Sequence, residues 1–257
     1  MSISAHQIVE VPCSCEQISL ERVLERAFPQ GEPDPATKEK TRAMLNACLV
    51  EIEPKGVYKI FNPATCTLPP EYTEPGIKLV GTLVVLKGQL IYEKLSKAKH
   101  CVMLGATAGS PDKINRLAST FVTSDEDRRL FEAILAVMAE HAASLTNLAV
   151  VKEAMALGLS TDDFISPGTG DFPLEQNDQI HFYTQAEQRL EMPLENKMQA
   201  LDPWNILGVV ALYDESQRSR RRACGRCKFR TFCSIRAIGM NCHGRKGSFK
   251  KPAAESA

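Results

Sequence analysis

Apolar residues recur at helical spacing from Ile18 to about Ile52 and predict a helical opening to the chain. Ser19-Leu20-Glu21-Arg22 reads as a helix start with an acidic residue in its first turn. The prolines of Gly31-Glu32-Pro33-Asp34-Pro35 mark a loop. From Pro35 to Glu51, Met44, Leu45, Cys48 and Leu49 then share one helical face. Val57 to Phe61 alternates like a half-buried strand, and Pro63 to Gly76 is a Pro-rich connection. Lys78 to Leu86 reads as one strand bounded by Lys87-Gly88, followed by a short helix over Gln89–Lys97.

His100 to Ala106 is a further apolar strand, running into Gly105-Ala106-Thr107-Ala108-Gly109. Helices are expected at Asp112–Ser119, Ser124–Leu145 and Asn147–Leu157. Ser124 supplies an N-cap to the second of these, and Asp125, Glu126 and Asp127 suit its dipole. A Gly/Pro loop, Ser166 to Pro173, precedes a helix at about Leu174–Gln185, and Asn205 to Tyr213 is the last apolar strand. Strands separated by unequal helical stretches, without an internal repeat, point to α+β rather than regular βαβ alternation.

Composition narrows the class: 44% hydrophobic and 24% charged residues over 257 are those of an ordinary globular chain. No run of about eighteen consecutive apolar residues exists, so no membrane-spanning helix is expected. Met1 to Glu10 lacks a basic segment leading into an apolar one, which makes a cytoplasmic location the expectation. The net charge of zero hides an asymmetry. Gln217 to Lys251 carries twelve Lys and Arg and no Asp or Glu, whereas the first 216 residues hold 19 basic against 30 acidic side chains.

Nine cysteines in a reducing compartment raise the question of ligation rather than disulfides. Cys48 and Cys101 sit in apolar patterns and read as buried thiols, and Cys66 falls in the Pro-rich connection. Cys13-Ser14-Cys15 places two thiols on one face of an extended segment, which permits joint ligation or a redox role. The specific signal is Cys224-Gly225-Arg226-Cys227, then five residues to Cys233 and eight to Cys242. A C-x2-C pair holds two thiolates on one turn, and short spans bring the third and fourth within reach. Arg226, Lys228, Arg230 and Arg236 favour the thiolates. Four thiolates suit zinc, with His243 as a substitute fourth ligand, or a [4Fe–4S] cluster.

The run Ile165-Ser166-Pro167-Gly168-Thr169-Gly170-Asp171-Phe172-Pro173-Leu174-Glu175-Gln176 resembles the activation domain of cobalamin-dependent methionine synthase, in its free-standing bacterial form. Met103 to Gly109, Glu132 to Glu140 and Asp202-Pro203-Trp204-Asn205-Ile206-Leu207-Gly208 agree with it in order and spacing, over roughly residues 16 to 240. The resemblance implies a C-shaped α+β domain with a curved antiparallel sheet and flanking helices, here with a small C-terminal Cys-rich module. The implied segments are a helical region 1–62, a core 63–216, a Cys-rich basic module 217–245 and a disordered tail 246–257.

What it implies functionally is an accessory protein for a corrinoid-dependent methyltransferase. Such a domain binds S-adenosylmethionine and offers its methyl group to cobalamin held by a partner protein. The family context favours an iron–sulfur cluster over zinc at the four tail cysteines, and the basic surround suits an acidic redox partner. The implied ligand loop is Phe164, Ser166, Pro167, Gly168, Thr169, Gly170 and Asp171, with Glu140 at the place of an acidic ligand residue. Two positions depart from the family pattern: Phe164 stands where an Arg is expected and Thr169 where a Tyr is expected. The rival reading is a binding module whose basic zinc- or cluster-bearing tail grips nucleic acid or an acidic protein.

Overall fold

The computed structural model describes residues 7–15, 18–64, 75–194 and 201–214. The chain opens with β1 (Ile8–Pro12), α1 (Leu20–Ala27), α2 (Pro35–Glu51) and β2 (Lys55–Phe61). Three short strands follow, β3 (Pro63–Ala64), β4 (Gly76–Leu79) and β5 (Val85–Lys87). Then come α3 (Gln89–Leu95), β6 (His100–Thr107), α4 (Pro111–Phe121), α5 (Asp125–Ala156) and β7 (Leu159–Thr161). The described part closes with α6 (Gln176–Thr184), α7 (Ala186–Leu190) and β8 (Asn205–Asp214).

Local chemistry accounts for the helix starts. Ser19 Oγ accepts from the Arg22 N–H, and the Asp34 carboxylate accepts from the N–H groups of Ala36 and Thr37, with Pro35 at the first helical position. Ser124 Oγ accepts from the Asp127 N–H at the start of α5.

Five strands form an antiparallel sheet in the order β1-β2-β6-β8-β7, and β3-β4-β5 form a smaller sheet. Alternation along the strands divides the core. Tyr58, Ile60, Val102, Leu104, Val210 and Leu212 face α5. Val57, Phe61, Cys101, Met103, Leu207 and Val209 face the other way, among residues of β4, β5, α3, α6 and α7. A third cluster joins α1, α2 and α4 to the first half of α5. The class is therefore α+β with an antiparallel sheet flanked by helices. β1, near the start of the chain, and β2, where a strand is expected at Val57–Phe61, both belong to this main sheet.

Two expectations are corrected. The helices expected at Ser124–Leu145 and Asn147–Leu157 are one helix of 32 residues. Thr146 does not break it, because its hydroxyl donates to the Ala142 carbonyl within the helix, and no Gly or Pro intervenes. The single strand expected over Lys78–Leu86 is a hairpin of β4 and β5, turned at Gly81 (φ +77°) and closed by Leu79 N–H to the Val84 carbonyl. α5 is also long and apolar enough to cross a membrane by length and composition, with a window of mean hydropathy 1.5. Over half of that window, 56%, is buried inside the domain, between the sheet and the other helices.

The start of α5 also carries a buried charge. Asp127 is 2% exposed, pairs with Lys40 from α2 and accepts from the Thr123 N–H and hydroxyl. Lys40, then the Thr123 hydroxyl, hold its carboxyl well below the usual carboxylate range. A depressed native pKa means stability that is full above the unfolded value of about 4 and lost as pH falls towards the native value. Asp127→Asn is therefore expected to lower the melting temperature at neutral pH and to flatten its acid-side decline. An unchanged acid-side slope in the variant would show that Asp127 has no part in it.

Candidate functional site

The loop after β7 is built around two glycines that need the left-handed region: Gly168 at φ +89° and Gly170 at φ +60°. Gly168 N–H donates to the Phe172 carbonyl, Thr169 N–H to Ser166, and Phe172 N–H back to Thr169, which closes the loop on itself. Pro167 and Phe172 are buried, while Gly168, Thr169 and Gly170 form an exposed tip. Ile165 pairs with Val209 on β8 and fixes the near end of the loop to the sheet.

Asp171 ties the far side of the loop to α3. Its carboxylate accepts from the Leu90 N–H at 3.0 Å and the Gln89 N–H at 2.5 Å. Those bonds, with Leu90 first, hold its pKa below the ordinary carboxylate value. This carboxylate caps a helix whose own N-cap, Gly88, has no side chain to do so. Asp171 was singled out as a loop residue, but its capping role was not legible, because the bond spans 82 residues.

Phe164 lies at the mouth of the loop with its ring against Gly208. A Cβ at Gly208 would stand 2.4 Å from the Phe164 ring and 2.5 Å from the Ile165 carbonyl. That explains why glycine sits at this point of β8. The ring packs with the cluster on the α5 face of the sheet, and no cation occupies its position.

Glu140 is not brought to the loop tip. It sits on α5, where it pairs with Arg22, at 3.1 Å, and with Arg26, both from α1. α5 covers one face of the sheet and α3, which Asp171 caps, lies against the other. Ser166, Pro167, Gly168, Thr169, Gly170 and Asp171 thus form one constellation, and Glu140 belongs to another.

Cys224, Cys227, Cys233 and Cys242 lie outside the described residues. So does Cys66. Cys48 and Cys101 are buried, and burial pushes each thiol up to about 12. Cys13 and Cys15 are half-buried beside α5, and burial raises both pKa values. Cys13 Sγ donates towards the carbonyls of Val11 and Ala142, and the Ser14 carbonyl accepts from His141 Nε2 at 2.8 Å. Among the described residues, no three His, Cys, Asp or Glu side chains converge as a metal site would require.

No family model matches this chain, and no curated protein matches it. Among solved structures, the crystal structure of the MetH reactivation domain bound to AdoHcy matches with a TM-score of 0.57. That match covers 82% of this chain and 80% of the other, at 14% identity. The chain shares its fold with that reactivation domain. At this identity the likeness fixes the arrangement of strands and helices and leaves the chemistry to the chain's own residues.

Proposed function

We propose that this chain is an activation-type accessory protein for a corrinoid-dependent methyltransferase, with the Ser166–Asp171 loop as the seat of an S-adenosylmethionine-class ligand. The observation that carries the reading is the fold shared with a reactivation domain bound to AdoHcy over four-fifths of both chains. The order and spacing of the loop motif support it independently. S-adenosylmethionine supplies a methyl group on sulfonium when bound, and cobalamin belongs to the partner protein. The role of this chain is to bind and orient the donor and to present it.

The residues fit such a ligand in part. The exposed tip, with two left-handed glycines and no bulky side chain, allows close approach of a ligand to backbone, and Thr169 adds a hydroxyl. Asp171 holds the tip against α3, so it acts as a positioning residue. An Arg is expected at the position of Phe164, and a phenyl ring offers the ligand's carboxylate no cationic partner. A charge-assisted bond contributes about 1.5–3 kcal/mol, so affinity should be about ten- to a hundred-fold below that of a site with an Arg clamp.

Calorimetric titration with AdoHcy and S-adenosylmethionine tests this directly. Weak binding is expected for the wild type, with a gain in Phe164→Arg/Thr169→Tyr, whose Arg stem can lie over Gly208 while its head reaches outward. Tight wild-type binding would show that another residue holds the carboxylate. No gain in the double variant, with the fold intact by circular dichroism, would remove the loop from consideration as this site.

The proposal extends to the tail. Cys224, Cys227, Cys233 and Cys242 hold a [4Fe–4S] cluster in preference to zinc, in a basic surround that suits an acidic redox partner. The support is their spacing and the twelve uncompensated cations of Gln217 to Lys251. Anaerobically isolated protein should be brown and contain iron, and Cys224→Ser should abolish the colour. Colourless protein with zinc would convert the module to a structural zinc site. The same cations favour one alternative, a tail that grips nucleic acid. A specific complex surviving physiological salt would establish it, since purely electrostatic binding weakens steeply there.

A further inference from the structure

Among the described residues, seven large apolar side chains are left exposed, and three of them gather at one place. The turn between β4 and β5 carries Val80 (47% exposed) and Leu83 (92%), and the end of α6 carries Phe182 (71%). Tyr183 joins them. Its hydroxyl accepts from the Leu83 N–H at 3.4 Å, and its ring meets Phe182 edge-on at 5.1 Å and Phe61 at 5.9 Å. The Val80 N–H donates to the Asn62 carbonyl at 2.8 Å, which fixes the turn beside the end of β2. Apolar side chains exposed singly need no explanation, whereas those that gather into one patch mark an interaction surface.

The two ends of the patch differ in charge. At the end where Tyr183 meets Phe61, the half-buried Lys59 holds its ammonium 5.3 Å from the centre of the Phe61 ring. Burial pulls its pKa below the ordinary lysine value, and no carboxylate offsets the cost. At the other end of α6 stands Glu175, exposed and seven residues before Phe182. That spacing puts both on one face of the helix, roughly 10 Å apart. Asp178, in the first turn of α6, carries the same sign. No ion pair among the described residues uses Lys59 or Glu175.

We infer that this face pairs two copies of the chain about a two-fold axis at Phe182. A uniformly acidic partner would meet Glu175, and a uniformly basic one would meet Lys59. A second copy satisfies both. The axis lays the two α6 helices antiparallel, so the Glu175 end of each turns towards the Lys59 end of the other. The apolar group of Leu83, Phe182 and Tyr183 then covers its own counterpart at the centre, with opposite charges at the rim on both sides. A two-fold contact of this kind closes on itself, which uses up the exposed patch and leaves no edge for further growth. The inference goes beyond the proposed function and is independent of it. Sedimentation reads the one, and ligand titration at the Ser166–Asp171 loop reads the other.

Sedimentation velocity of the full chain across a wide range of concentration tests the inference, with a monomer–dimer equilibrium expected. Leu83→Asp and Phe182→Ser should each weaken the dimer at least about tenfold. Neither should lower the melting temperature, since both side chains are exposed in the monomer. Lys59→Glu and Glu175→Lys should each drive the dimer apart, because each sets like charges against one another across the axis. An equimolar mixture of those two variants should dimerise again, since opposite charges then meet at both ends. Circular dichroism melting checks Lys59→Glu, whose site touches the Phe61 ring, and Glu175→Lys at its exposed position carries the charge test if that variant unfolds. A wild type that stays monomeric would overturn the inference, as would a dimer indifferent to these changes or a mixture that fails to re-form it.

Discussion

Phe172→Ala is expected to lower the unfolding free energy by about 3–5 kcal/mol, the cost of removing a buried aromatic ring and leaving its cavity. Phe172 is 1% exposed and packs in the cluster between the sheet and α3, α6 and α7. It is also the anchor of the Ser166–Asp171 loop, since its carbonyl accepts from Gly168 and its N–H donates to Thr169. The same change should therefore loosen the loop as well as the core. Chemical denaturation measures the first effect, and faster amide exchange at Gly168 and Thr169 the second. Phe172→Leu, which refills much of the space, should lose clearly less. A Phe172→Ala loss under about 1 kcal/mol would mean that the ring is not a core group, contrary to its burial.

Gly88→Ala is expected to cost about 3 kcal/mol or more, from two sources that add. Gly88 has φ +111° and ψ 146°, a region open almost only to glycine, where another residue is strained by about 1–3 kcal/mol. An added Cβ would also stand 2.6 Å from the Asp171 carbonyl oxygen. Backbone cannot step aside as a flexible side chain can, and overpacking of this kind costs about 1–3 kcal/mol. Because Asp171 caps α3, displacing it should expose the Gln89 and Leu90 amides to exchange. Thermal unfolding and site-resolved exchange together make the test. A stable variant with Gln89 and Leu90 still protected would rule out the close contact between Gly88 and the loop.

Gly88 and Asp171 meet only in the folded chain. Gly88 was legible as a strand boundary, and Asp171 as part of a motif. Their meeting was not, because 83 positions separate them and nothing local in either segment records the other. Glu140 is a similar case. Its place in a helix motif suggested a ligand role, and the fold adds what the motif did not record, its pairing with Arg22 and Arg26 of α1. A helix pattern gives the face on which a residue lies relative to its neighbours, and it does not say which other element covers that face.

By itself the sequence determined the α+β class, most helices to within a few residues, and the strands at Lys55–Phe61, His100–Thr107 and Asn205–Asp214. These rest on local physics: helical or alternating spacing of apolar side chains, and caps such as Ser19, Asp34 and Ser124 that satisfy N–H groups within a turn. It also marked Ser166 to Pro173 as a loop by its glycines and prolines, and the structure adds the left-handed conformations of Gly168 and Gly170. Tertiary structure alone decided the rest. It set β2 so close to α5 that a Cβ at Gly56 would collide with the Thr146 hydroxyl. It recruited Ile8–Pro12 and Leu159–Thr161 as edge strands, which short segments become only when a neighbour supplies hydrogen bonds. It also placed Glu10 beside Arg189, 179 positions later, because pairing across a sheet and packing of α7 on its face are settled by the whole core together.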